Sequence, residues 1–269
     1  MNPDMRTGFF DSGIGGISVL HEALRLMPGE DYIYYADTDN APYGTKTRAE
    51  AAGLTIRAMD FIIEQGVKSV VVACNTATSA AIETLRARYS IPIIGMEPAI
   101  KPAVEQNGRN NKRVLVTATP LTLKEEKCRN LIRRVDNENI VDLLPLPELV
   151  RFAESYEFSE EAVLPYLKGE LARYDLSSYG TVVLGCTHFI FYRDLFGRVL
   201  PRGVDIIDGN AGTVRNLKRI LELNNLQGSG SGQVQYFVSG REVRDIVTLA
   251  KYDSLHSMLD RLTAGFASS

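Results

Sequence analysis

Two short runs constrain the fold more than any other feature of this chain. Val70-Val71-Val72-Ala73 leads into Cys74-Asn75-Thr76-Ala77-Thr78, and Thr181-Val182-Val183-Leu184-Gly185 leads into Cys186-Thr187-His188. Four or five consecutive apolar, largely β-branched residues without alternation predict strands buried on both faces, as in parallel sheets covered by helices. Each cysteine then stands at the carboxyl end of its strand, where open α/β sheets bind ligands and where the next helix opens. Asn75, Thr76 and Thr187 are placed to cap those helices, and the N–H groups there would stabilise an anion or a thiolate. The second run follows the first by about one small domain's length, so the chain reads as a duplicated half.

The flanking segments repeat in the same order. Thr7-Gly8-Phe9-Phe10 is a strand ending at Asp11-Ser12-Gly13-Ile14-Gly15-Gly16, and Arg113–Thr119 answers it; Val204–Asp208 answers Ile91–Gly95. The glycines of the first turn let the backbone approach another group closely, and the helix after it favours an anion. Asp31–Asp37 is a second strand, followed by a long polar loop, Thr38–Thr47, that carries Pro42-Tyr43-Gly44. A loop of that length at a strand's carboxyl end points to binding.

The expected architecture is α/β: two pseudo-symmetric parallel-sheet domains facing each other across a central active-site cleft. Residues 1–98 plus 208–269 form the first domain and residues 99–207 the second. A continuous helix is expected over Leu121–Val135. In the C-terminal segment the pattern predicts a helix over Ala211–Asn225, a flexible Gly228-Ser229-Gly230-Ser231-Gly232 connection, a strand at Val234–Val238 and a last helix packing back on the first domain.

Composition narrows the function classes. With a net charge of −3 over 269 residues there is no basic footprint for nucleic acid. No apolar run approaches the ~18–20 residues that span a bilayer, so no membrane association and a cytoplasmic location are expected. Three cysteines make no disulfide framework and read as reduced thiols. Cys128, in the middle of a predicted helix, reads as structural, and His21 and His256, in helical patterns, as surface or capping residues.

Two thiols approaching one ligand from opposite sides suit stereoinversion. One thiolate removes a proton from a carbon while the opposite thiol delivers another, and an ordinary pKa of ~8.5 leaves either form accessible after modest tuning. His188 is close enough in sequence to assist Cys186. Asp11 is placed to do the same for Cys74, or to cap the first helix. A hydrolase using Cys186 or Cys74 with His188 leaves the second cysteine unexplained. Cys74, Cys186 and His188 have unsuitable spacing for zinc, so no metal is expected. A non-catalytic binder of an acidic metabolite would use the same cleft.

Asp11-Ser12-Gly13-Ile14-Gly15-Gly16, Pro42-Tyr43-Gly44, Ala73-Cys74-Asn75-Thr76-Ala77-Thr78 and Gly185-Cys186-Thr187-His188-Phe189 occur in this order. With them the chain closely resembles the cofactor-independent aspartate/glutamate racemase superfamily, and within it the glutamate racemases, from about Thr7 to Asp208; Tyr236-Phe237-Val238-Ser239-Gly240 also looks like the family. The resemblance implies interconversion of L- and D-glutamate for peptidoglycan, without pyridoxal phosphate or metal, commonly in a homodimer, with Cys74 and Cys186 as the acid/base pair. It implies substrate contacts from Asp11, Ser12, Pro42, Tyr43, Gly44, Asn75, Thr76, Thr187 and His188, and an assisting role for Glu154. A racemase of a related amino acid such as aspartate is the alternative. The chain departs from the family's pattern at Pro147–Glu154, and at Ile190-Phe191-Tyr192, where Pro-Leu is frequent.

Overall fold

In chain order the strands are β1 (Thr7–Asp11), β2 (Tyr32–Ala36), β3 (Ser69–Val72), β4 (Ile93–Gly95), β5 (Arg113–Ala118), β6 (Val141–Pro145), β7 (Tyr179–Leu184), β8 (Asp205–Asp208), β9 (Val234–Val238) and β10 (Arg241–Glu242). They come from a computed structural model that describes residues 2, 5–108, 110 and 112–266. The unalternating runs are the central strands: every residue of β1, β2 and β3 is buried, as are five of the six in β7.

The strands form two sheets. The first runs β10-β9-β2-β1-β3-β4 and the second β6-β5-β7-β8. All neighbours pair in parallel except β9 and β10. Leaving out β9 and β10, the order is the same in both sheets: second strand, first, third, fourth. In such a sheet the order in which strands are added reverses between the first and third strands, and ligands bind at their carboxyl ends. That places Asp11 and Cys74 together in one sheet, and Thr119 and Cys186 in the other.

Beyond β8, the helix Asn210–Leu223 returns along the helix Ile17–Leu26 and leads to β9, which pairs with β2 from Tyr32↔Val234 to Ala36↔Val238. The Gly228–Gly232 connection before it is not the flexible linker its composition suggests. The Gly228 N–H donates to Glu30 at 2.6 Å, and those of Ser231 and Gln233 to Asp31 at 3.0 Å each. Carboxylates from elsewhere in the chain hold this segment.

Two further expectations are corrected. The helix read over Leu121–Val135 is two helices, Pro120–Lys124 and Glu126–Val135, because Glu125 is extended (φ −65°, ψ 139°). Its carboxylate is nearly buried against Arg48 of the first half, at 3.3 Å. His21 and His256 are not surface or capping residues: His21 is 7% exposed, the two Nδ1 atoms lie 3.2 Å apart, and Tyr236 reaches His256 at 3.3 Å. The helical period showed a polar position; it could not show that the helix Ile246–Phe266 covers it.

Candidate active site

The turn after β1 is shaped by what it must admit. A Cβ on Gly13 would lie 1.8 Å from Glu154 Oε1, and one on Gly15 would lie 2.4 Å from both His188 Nδ1 and Thr187 Oγ1. Only glycine tolerates such approach. The anion that the turn was expected to favour is therefore a protein carboxylate: the Ile14 N–H donates to Glu154 Oε1 at 2.9 Å. Glu154 ends the helix Pro147–Glu154 of the second half, so this bond joins the two halves.

Around Cys186 the groups form a row. Cys186 Sγ lies 3.7 Å from His188 Nδ1, and His188 Nε2 lies 2.6 Å from Glu154 Oε1. His188 is wholly buried. Desolvation alone would lower its pKa, but the hydrogen bonds and charges of Cys186 and Glu154 outweigh this and raise it well above the usual imidazole value. An imidazolium facing a sulfur stabilises negative charge there.

Cys74 sits differently. It is itself the N-cap of the helix Asn75–Arg88, and its sulfur accepts the Ala77 N–H at 3.4 Å. Asn75 and Thr76 lie inside the helix and do not cap it. The thiol also donates to Ser12 Oγ at 3.5 Å. Burial, then the charge of Asp11, push Cys74 up to about 12, and the charge of Cys186 adds to the rise; Ala77 and Ser12 oppose it. A thiol raised this far is protonated at neutral pH.

Asp11 does not cap the first helix, whose N-cap is Gly16. Its carboxylate accepts the Gly13 N–H at 3.0 Å and the Thr187 hydroxyl at 3.0 Å instead. Thr187 caps nothing either; it opens a 3₁₀ turn, Thr187–Tyr192, and its hydroxyl spans the two halves instead. Burial raises Asp11 to about 6, against the opposing charge of His188.

The remaining candidates line the same region. Thr76 Oγ1 meets Thr119 Oγ1 at 2.9 Å and Thr122 Oγ1 at 3.0 Å, again across the two halves. Asn75 Oδ1 is buried without a hydrogen-bond partner among the described residues. Tyr43 is buried and donates to Asp37 at 2.5 Å. Half-buried Pro42 precedes the turn Tyr43–Thr45, and Gly44 packs on Thr119.

The sequence reading missed Thr119, Thr122, Asp37 and Tyr34, whose phenol donates to the Gly13 carbonyl at 2.7 Å. Thr119 was within reach, because Arg113–Thr119 aligns with Thr7–Ser12 and ends where Ser12 does. Cys128 is buried in the helix Glu126–Val135, apart from these groups.

The family model for Asp/Glu/Hydantoin racemase matches residues 16–217. The chain belongs to that family. A racemase is an isomerase, and this member is 55% identical over 250 residues to the glutamate racemase of Halothermothrix orenii, covering 92% of this chain and 97% of that one. It is 50% identical over 256 residues to glutamate racemase 2 of Bacillus subtilis, covering 95% and 97%. Among solved structures, the glutamate racemase of Francisella tularensis in complex with D-glutamate superposes with a TM-score of 0.79 at 26% identity, over 96% of this chain and 94% of that one. A racemase accounts for the second thiol; a hydrolase built on the Cys186–His188–Glu154 row leaves it idle.

Proposed function

We propose that this racemase interconverts L- and D-glutamate by passing the Cα proton between Cys74 and Cys186. The observation that carries the reading is the pairing of environments: a thiol at the carboxyl end of the third strand of each sheet, with the halves tied between them by the Asp11–Thr187 bond. One thiolate takes the Cα proton and becomes a thiol. The electron pair left on Cα is delocalised into the adjacent carboxylate, and the opposite thiol gives its proton to the other face and becomes a thiolate. One proton is taken and one given, so the net charge is unchanged.

In this reading Asp11 compensates the substrate ammonium. Asn75 Oδ1, an acceptor without a hydrogen-bond partner among the described residues, fits a second ammonium hydrogen. The hydroxyls of Ser12, Thr76 and Thr187, with the N–H groups opening the helix Asn75–Arg88, suit the carboxylates. Tyr43 and Gly44 close over the far end of the substrate. His188 supports Cys186, and Glu154 holds His188.

Circular dichroism of L-glutamate incubated with the protein tests the function. Decay of the signal toward zero is expected; a constant signal at high protein concentration would leave a binder only. Aspartate is one methylene shorter, worth only ~1–3 kcal/mol in a pocket, so a ratio of kcat/KM favouring aspartate would overturn the substrate while keeping the chemistry. We assign the product to peptidoglycan synthesis in the cytoplasm, and the working form to a homodimer, from the family resemblance. Among the described residues no helix is long and apolar enough to cross a membrane. A single monomer mass in light scattering at micromolar concentration would overturn the dimer.

The pH dependence tests Asp11. Its carboxyl takes up a proton as pH falls through about 6, so kcat/KM, which reports the free enzyme, should fall below that pH with unit slope. Asp11→Asn should lower kcat/KM by about 10²-fold and abolish this acid limb. An unchanged limb in the variant would assign it to another group.

A further inference from the structure

The segment Tyr236–Gly240 belongs to the resemblance, yet nothing in the proton transfer uses it. Its Ser239 lies in the left-handed region, with φ +45°, a conformation unfavourable for any residue with a Cβ. Such strain persists where surrounding bonds hold it. Here the Ser239 N–H extends the β2–β9 ladder by donating to Ala36 at 2.8 Å. This delivers the hydroxyl to the loop that carries Tyr43. The Ser239 hydroxyl donates to Asp37 Oδ1 at 3.0 Å and accepts the Asp39 N–H at 3.1 Å.

Asp37 is only 4% exposed and follows β2, with its own N–H on the Asp11 carbonyl at 3.0 Å. Its two oxygens are divided. Oδ1 takes Ser239 and Asn40, each at 3.0 Å, and Oδ2 takes the Tyr43 phenol at 2.5 Å. Tyr43 is 1% exposed, and its neighbour Gly44 packs on Thr119, which meets Thr76. The hydroxyl of Ser239 thus fixes the rotation of a carboxylate whose other oxygen fixes an active-site ring.

We propose that Ser239 is a positioning residue for the reaction, acting through Asp37 to hold Tyr43 against the substrate. The C-terminal hairpin β9–β10, absent from the second sheet, is then part of the active site's support and not an appendage. This rests on the racemase reading for the substrate, and on the geometry of Asp37 for the residue.

Ser239→Gly is the decisive variant, because glycine adopts positive φ without strain while removing the hydroxyl. We expect KM for both enantiomers of glutamate to rise about tenfold, with kcat changed by no more than about twofold. The melting temperature should stay at or above that of the wild type. Ser239→Ala should raise KM equally and melt lower. In a Tyr43→Phe background, Ser239→Gly should raise KM no further, since the phenol that Asp37 orients is gone. Arg241→Ala, which removes the exposed pair of Arg241 with Asp39 at 2.8 Å but leaves Asp37 untouched, should keep the wild-type KM.

Unchanged KM in Ser239→Gly, a lowered melting temperature with unchanged KM, or a full KM effect surviving in Tyr43→Phe each overturns the inference. Calorimetric titration with D-glutamate separates this from failure of the racemase reading. If the wild type binds without racemising, that reading falls, and the ratio of Kd between Ser239→Gly and wild type, about tenfold or unity, still decides the role of Ser239.

Discussion

Racemisation collapses by about 10³–10⁴-fold when either Cys74 or Cys186 becomes serine, because each loses a positioned acid/base group that a hydroxyl cannot replace near neutral pH. The two variants are then distinguished by a reaction that needs only one face. Elimination of HCl from a 3-chloro analogue of glutamate requires abstraction of the Cα proton but no reprotonation. Cys74→Ser should retain elimination from the enantiomer that faces Cys186, which the family resemblance assigns as L, and Cys186→Ser from the D form. In D2O the wild type should place deuterium early in the product enantiomer and little in recovered substrate, because the proton taken and the proton given sit on different sulfurs. Elimination from the same enantiomer by both variants, or normal racemisation by either, would make one cysteine structural.

The features legible in the sequence were those with a short period or a fixed partner in the chain. Unalternating runs at Val70–Ala73 and Thr181–Leu184 marked β3 and β7, and the repeated order of runs anticipated two sheets of matching strand order. What failed was decided by contacts distant in sequence. The glycines of Gly228–Gly232 carry no sign that Glu30 and Asp31 wait for their N–H groups. Apolar spacing could not reveal that Glu125 breaks a helix to face Arg48. The glycine turn at residues 13–16 was rightly read as a place of close approach, but its visitor is a side chain from 140 residues away. Hydroxyl pairs such as Thr76 with Thr119 exist only once the two sheets face each other.

The unequal surroundings of the two thiols lead to the second large effect. His188→Asn should reduce kcat/KM for racemisation by about 10²–10³-fold. The loss must be equal in both directions, since L- and D-glutamate have the same free energy in water and the ratio of the two kcat/KM values is fixed at one. Racemisation therefore cannot reveal which thiol His188 serves, and the one-way elimination can. With Nδ1 3.7 Å from Cys186, His188 should matter for the L form of the 3-chloro analogue, while elimination from the D form stays near wild type. The pH profile adds a sign. Burial opposes the charge on His188, but Cys186 and Glu154 raise its pKa well above the ordinary value. The imidazolium is thus present at neutrality, and elimination from the L form should decline as pH climbs through the raised value. Glu154→Gln removes the charge at 2.6 Å from Nε2 and should move that decline to lower pH; His188→Asn should remove it. The stability linked to this proton is fully present below the unfolded value of ~6.5 and lost as pH rises through the folded one. His188→Asn should therefore be more destabilising at pH 6 than in alkaline solution. Equal losses of elimination from both enantiomers would detach His188 from Cys186 and make it a support of the whole cleft.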